Sequence, residues 1–377
     1  MRNKSSDKPN KIRLYNPNRF NGLDAGICYL IVLLVFVVAP YFIKMAIGDF
    51  LKAVSEYDTF AYYVISTAIS QFMIFFVAFI FCIVRRVNPF SGGGYKASWD
   101  GVHVLMAIML TLGVMMTFYF THLQFFDYTS ILTGPSGEIE EHISVLSPLF
   151  MVVYLFEIAV LPAIIEEMMF RGIIMRGLEQ FGGLFAVICS SIMFSLMHGN
   201  FGQLVLQFIG GLAIGGVVYI TKNYLLGMIM HFTNNAFSVV YTLMITPIFE
   251  GPINQKIIAV TGSFSIVLGI VFCLVSGIYF ISMLFEKEKN KALSKNVSNK
   301  YAKKRYYQMQ EFGQEFLLPS DNIPYLSNKN DERRFVINGK YRRLNRQSKN
   351  GISFAFIGLS ILLATVIIFF RYMRLIK

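Results

Sequence analysis

The stretch LPAIIEEMMFRGII, Leu161 to Ile174, sets two adjacent glutamates and an arginine inside an otherwise apolar run. A charged side chain at the centre of a bilayer costs roughly 2.5–3.5 kcal/mol on insertion scales, so such residues persist when they pair, line a wet cavity or perform a task. Helical geometry sorts the three. Glu167 and Arg171 are four apart, about 40° around a helix, and can meet as an ion pair. Glu166 points about 100° away from Glu167 and is left without that partner. The stretch therefore reads as a structural pair, Glu167 with Arg171, and a free carboxylate, Glu166.

The rest of the chain is as apolar as this run. Of its 377 residues, 55% are hydrophobic and 15% charged, and the mean hydropathy is +0.55. That is too apolar for an ordinary soluble protein. Long apolar runs between short polar breaks predict an all-α, polytopic helical membrane fold. The spans fall at about 25–47, 60–84, 102–122, 146–165, 184–197, 204–220, 225–246, 257–285 and 351–370. The expected organisation is a basic N-terminus, 1–24, then a membrane-embedded core of eight helices, 25–285. A basic polar segment, 286–350, and a C-terminal transmembrane helix with its tail, 351–377, follow.

The net charge of +12 raises the question of nucleic-acid binding. The placement of the charges gives a plainer answer. Arg2, Lys4, Lys8, Lys11, Arg13 and Arg19 precede the first span; Asp49, Glu56 and Asp58 outnumber Lys52 after it. Arg85, Arg86 and Lys96 follow the second span, and Asp127, Glu138, Glu140 and Glu141 the third. Basic residues alternate sides, which puts the N-terminus in the cytoplasm. Membrane lipids are the expected partners and nucleic acid is not. The Lys-, Ile-, Phe- and Asn-rich style points to a bacterial cell membrane.

One feature resists this scheme. Nine crossings leave the C-terminus outside, yet it carries Arg371, Arg374 and Lys377. Either those side chains reach to the interface or one span does not cross. The suspect is 184–197, about 14 residues against the ~20 a crossing needs. The first span lacks a small-residue cleavage site and reads as a retained helix. Cys28, Cys82, Cys189 and Cys273 all fall within spans, which argues for buried small apolar residues and against a disulfide framework or thiolate cage. In the segment from Glu286 to Asn350, 16 Lys or Arg stand against 7 Asp or Glu. Its YAKKRYYQ and DERRFVINGKYRR runs interleave aromatic and basic residues, as RNA or anionic-lipid binders do; a solvated loop holding topology is the plainer reading. A small ordered piece is expected around FLLPSDNIPYL and RRFVING.

Two further polar groupings sit in later spans. SSIMFSLMHGNFGQ places Phe194 and His198 four apart, and GMIMHFTNNAF places His231 and Asn235 four apart on one helical face. A carboxylate, two imidazoles and an amide can then converge within a bundle. That set can polarise a water and stabilise an oxyanion, the two requirements of peptide hydrolysis. It can equally hold a divalent metal such as zinc through Glu166, His198 and His231, with a position open to water. Each residue alone has a structural reading, a helix-to-helix hydrogen bond or a buried pair. For the histidines to meet, the turn HGNFGQ must lie inside the protein, with Asn200, Gln203 and Gln207 satisfying backbone there or lining the cavity.

Read together as EExxxR, FxxxH and HxxxN, in order on successive apolar helices, these motifs resemble the CPBP family of intramembrane proteases. The family is also called Abi and includes the type II CAAX prenyl proteases. The resemblance spans roughly residues 145–245. It implies an all-helical fold with its site in a cavity inside the bilayer, cutting membrane-associated, prenylated or otherwise hydrophobic peptides. It implies Glu166 as general base helped by His198, His231 and Asn235 as oxyanion donors, Glu167 and Arg171 as orienting groups, and Phe194 packed beside them. The resemblance leaves the mechanism as either metallo- or glutamate-type.

Rival readings differ in class. A catalytically silent scaffold or bacteriocin-immunity protein would not need intact Glu166, His198 and His231. A transporter would show broken-helix repeats, which are not visible. GPSG at Gly134 to Gly137 matches a rhomboid-type serine motif, but EIEEH follows it rather than an apolar helix. HExxH is absent.

Overall fold

The computed structural model describes residues 20–89, 97–125, 148–199, 203–245, 252–311, 334–337, 340–343 and 346–375. GPSG, Asn200, Lys377 and the FLLPSDNIPYL segment lie outside them. The chain divides into two compact units, one of residues 1–276 with 352–377 and the other of 277–351.

In the first unit α1 runs over Gly22–Tyr57 and α2 over Thr59–Arg85. Asn21 starts α1 with a capping box: its side chain accepts from the Leu23 and Asp24 amides, and Asp24 accepts from the Asn21 amide. These contacts satisfy N–H groups that a helix start otherwise leaves unpaired. Asp24 also takes two hydrogen bonds from Arg85, at 2.6 and 2.9 Å. The start of α1 thus meets the end of α2, and the two helices are antiparallel. Ile47 has non-helical backbone angles, seven residues after Pro40, where α1 is kinked.

Helix α3, Gly101–Phe125, begins where Asp100 accepts from the Val102 and His103 amides. The next rod, α4, is mixed. Pro148–Leu155, Leu161–Glu167 and Arg176–Leu178 are α-helical, Phe156–Val160 and Met168–Met175 are π-helical, and Glu179–Phe181 is a final 3₁₀ turn. It runs back along α1: Tyr29 meets the ring of Phe170, and a Cβ on Gly177 would run into the Asn21 carbonyl oxygen.

Helices α5, Gly183–Met197, and α6, Leu204–Thr221, form a hairpin. Gly183 lies against Tyr219, Gly215 against Val187, and Gly211 against Ser191. The small residues on α6 let the backbones approach, as small-xxx-small spacing does in membranes. Gly199, at φ 64°, stops α5 in a left-handed turn that favours glycine. Tyr29 donates to the Met193 carbonyl at 2.6 Å, which fixes the depth of the hairpin. Tyr29 is seven residues into α1 and His198 five beyond Met193, so the tip lies roughly 18 Å from the level of α1's start. The fifth predicted span, Gly183–Met197, is thus a 15-residue helix, short of the ~20 residues a crossing needs. This does not reconcile the basic C-terminus with the charge rule, because α6 returns to the level at which α5 began and the parity is unchanged.

Helix α7, Tyr224–Ile245, starts beside α3, where Asn223 bonds the Ser98 carbonyl. Helix α8 covers Pro252–Glu311, and its first part crosses α3 closely. A Cβ at Gly113 would lie 2.8 Å from the Cys273 backbone nitrogen and from the Gly269 carbonyl oxygen. Gly113→Leu is therefore expected to destabilise by about 1–3 kcal/mol through overpacking, read as a lower melting temperature in detergent. An unchanged melting temperature would show that this crossing tolerates bulk.

The last helix, α9, Arg346–Leu375, lies parallel to α1: Gly26 abuts Phe356, and Phe354 stacks on Phe181 at 4.4 Å. Its end is thus on the face opposite the start of α1. In the second unit β1, Arg334–Ile337, and β2, Lys340–Arg343, pair antiparallel with Val336 opposite Tyr341. Apart from this hairpin the described fold is all-α. Six of its helices are long and apolar enough to cross a membrane, among the described residues. Phe72, Phe76, Val84, Val271 and Leu274 are exposed on them, the surface a bilayer covers. The chain is an integral membrane protein. All four cysteines are unpaired.

Candidate active site

Glu166 and Glu167 sit on the short α segment of α4 between its two π turns. A π turn inserts a residue into the helical ladder, a distortion that recurs at functional sites. Here it coincides with a cross-helix contact: Asn235 of α7 donates its amide to the Ile158 carbonyl within the first π turn, at 2.9 Å. Asn235 in turn accepts from Asn234 at 3.0 Å.

Glu167 and Arg171 make the expected ion pair at 2.7 Å, both buried. The pair is not isolated. Arg171 also donates to the Gly211 carbonyl on α6 at 3.3 Å and lies over the Phe194 ring at 5.0 Å. The same Glu167 oxygen, Oε1, meets His231 Nδ1 at 2.9 Å. A carboxylate can only accept here, so Nδ1–H donates and His231 Nε2 is left for other work. Glu167 therefore couples α4 to α7 as well as holding Arg171. Gly227 makes the approach possible: a Cβ there would stand 2.9 Å from Glu167 Oε2.

Glu166 is buried and accepts at Oε1 from Gln71 Nε2 of α2, at 3.1 Å. Its Oε2 has no hydrogen-bond partner among the described residues and lies 3.9 Å from His231 Nε2. The expectation of a carboxylate without a partner is corrected to half of it: one oxygen is held and the other is available. Gln71 carries the information that sequence reading missed. Its only signal was a lone amide in the apolar run STAISQFMIFF.

His198 closes α5, half-buried, with Nδ1 against the Phe194 carbonyl at 2.9 Å. A carbonyl only accepts, so His198 also presents Nε2. Phe194 is the hub. Its ring meets His198 at 4.8 Å, His231 at 5.7 Å and Phe170 at 5.1 Å between centroids. The three motifs therefore converge around one aromatic ring. Gln203 is exposed.

Both imidazoles are anchored through Nδ1 with Nε2 available, and such anchoring of the second nitrogen is how metal-binding histidines are oriented. Yet no three His, Cys, Asp or Glu among the described residues are close enough to hold a metal. Glu166, His198 and His231 do not form a three-ligand cage among the described residues. Glu157 is buried in the first π turn. The site above makes no use of it.

Residues 148–237, from the start of α4 through most of α7, match the family model described as type II CAAX prenyl endopeptidase Rce1-like. No curated protein matches the chain, and no solved structure does.

Proposed function

We propose, from the match of residues 148–237 to the type II CAAX prenyl endopeptidase Rce1-like model, that this chain is an intramembrane endopeptidase of the glutamate type. The coarse class, a CAAX-type intramembrane protease, follows from the domain. The observation that carries the finer reading is the buried array of Glu166 Oε2, His231 Nε2 and Glu167 Oε1, at 3.9 and 2.9 Å across the imidazole.

In this reading Glu166 Oε2 takes a proton from a water while the water oxygen attacks the peptide carbonyl carbon. His198 Nε2 accepts the water's second O–H and aligns it. The carbonyl electrons move onto oxygen, where His231 and the remaining amide N–H of Asn235 stabilise the charge. With Nδ1–H given to Glu167, His231 donates there from Nε2 only when that nitrogen also carries a proton. The tetrahedral centre then collapses, the C–N bond breaks, and the proton held by Glu166 passes to the leaving amine.

The substrate is a membrane-associated peptide, prenylated or otherwise hydrophobic, because the reacting groups lie at the depth of the α5–α6 tip. In this reading lipids are its surroundings. In this reading the basic N-terminal segment faces the cytoplasm, which the alternation of basic residues supports.

The test is cleavage in proteoliposomes of a peptide with a prenylated cysteine near its C-terminus, beside the same peptide unprenylated, by wild type and His231→Ala. Cleavage of the lipidated peptide by wild type, lost in the variant and unaffected by a chelator, is expected. Equal cleavage by both proteins would overturn the assignment of His231. Loss of wild-type activity in the chelator would overturn the glutamate-type reading.

A further inference from the structure

We infer that Gln71, on α2 and outside the segment that matches the family model, is a positioning residue for the general base; this rests on Glu166 having that role. Gln71 is buried, 8% exposed, in the middle of an apolar helix. Its amide reaches across 95 positions of sequence to Glu166 Oε1, at 3.1 Å. The orientation of the amide follows from chemistry: a carboxylate offers only lone pairs, so the NH₂ end must face it.

The contact has two consequences for a base. Glu166 hangs from α4 between two π turns, on a side chain with three rotatable bonds. A donor from a second helix removes that freedom. It also makes the two carboxylate oxygens unequal. Oε1 is occupied, so a proton arriving from water goes to Oε2, the oxygen that faces His231 Nε2 at 3.9 Å. Gln71 Oε1 and Glu166 Oε2 are both buried acceptors without a hydrogen-bond partner among the described residues. The pair thus has acceptor capacity for an O–H donor and none to spare for an anion. A Gln kept inside an apolar helix merely for packing would be easily replaced by an apolar residue of its shape. A Gln that positions a base would not.

The experiment measures kcat and KM separately for wild type, Gln71→Met, Gln71→Glu and Glu166→Gln, using the lipidated peptide in proteoliposomes. Met keeps the length of Gln and removes the donor; Glu keeps the length and sets a second carboxylate against the first. The expected result is a kcat lower by about 10- to 100-fold in Gln71→Met, the loss of one hydrogen bond to a charged group. KM should stay within about two-fold, since an interaction that acts only on the chemical step lowers kcat. Gln71→Glu should fall further than Gln71→Met, while the melting temperature of Gln71→Met stays at the wild-type value. Wild-type kcat in Gln71→Met, with Glu166→Gln inactive, would overturn this inference and leave the base intact. Activity retained in Glu166→Gln would overturn the reading on which it rests. A fall in Gln71→Met carried by KM or by melting temperature would assign Gln71 to packing.

Discussion

Glu166→Gln is expected to lower turnover by about 10²- to 10⁴-fold, the usual contribution of a general base, with the melting temperature unchanged. The substitution is nearly isosteric. Its amide oxygen can still accept from Gln71 Nε2, the bond that holds Glu166 Oε1 at 3.1 Å. What it loses is the ability to take a proton at the second position, opposite His231 Nε2. Stability and chemistry are therefore separable at this residue, which is rare for a buried carboxylate. Initial rates on the lipidated peptide, with a thermal melt of the same preparation, measure both. Turnover within about ten-fold of wild type would remove Glu166 from the base role.

Arg171→Ala should do the opposite and damage the fold first. Arg171 is buried, pairs with Glu167 at 2.7 Å and donates to the Gly211 carbonyl at 3.3 Å. Its guanidinium also covers the Phe194 ring. Removing it leaves the Glu167 carboxylate buried against a lone imidazole, and breaking such a pair costs roughly 3–5 kcal/mol. Replacing both partners, Glu167→Met with Arg171→Met, should recover part of that stability because no charge is stranded. Activity should not return, since His231 loses the acceptor that orients its Nδ1. Melts of the single and double variants in one detergent decide the matter. Equal stability in the two would mean that the pairing contributes nothing.

The contrast between these two glutamates shows what a sequence can carry. That Glu167 and Arg171 would meet was legible because four residues along a helix bring side chains to one face, and the wider π turn that begins at Met168 does not separate them. The short fifth span was legible from length alone, and Gly199 ends it in a left-handed turn. The partners across helices were not. Nothing in the spacing of α2 says that Gln71 reaches Glu166, or that His231 takes the same oxygen of Glu167 as Arg171. Those contacts depend on helix rotation and depth, which the π turns of α4 alter. Gly211 has two tasks: it packs against Ser191, and its carbonyl receives Arg171. The direction of the C-terminal helix, set by Phe356 against Gly26, could not be read from charge, because the charge rule alone gave two incompatible answers.

The tip of the α5–α6 hairpin carries one more consequence. It stands roughly 18 Å from the level at which α1 begins, and His198 is fixed there. An extended chain advances about 3.3 Å per residue, so a peptide entering from that face needs about five or six residues merely to arrive. A folded domain cannot follow. The site would therefore act as a ruler: it would cut only where an unstructured tail of at least that length separates the scissile bond from anything bulky. Selectivity of this kind comes from reach and needs no pocket for any particular side chain.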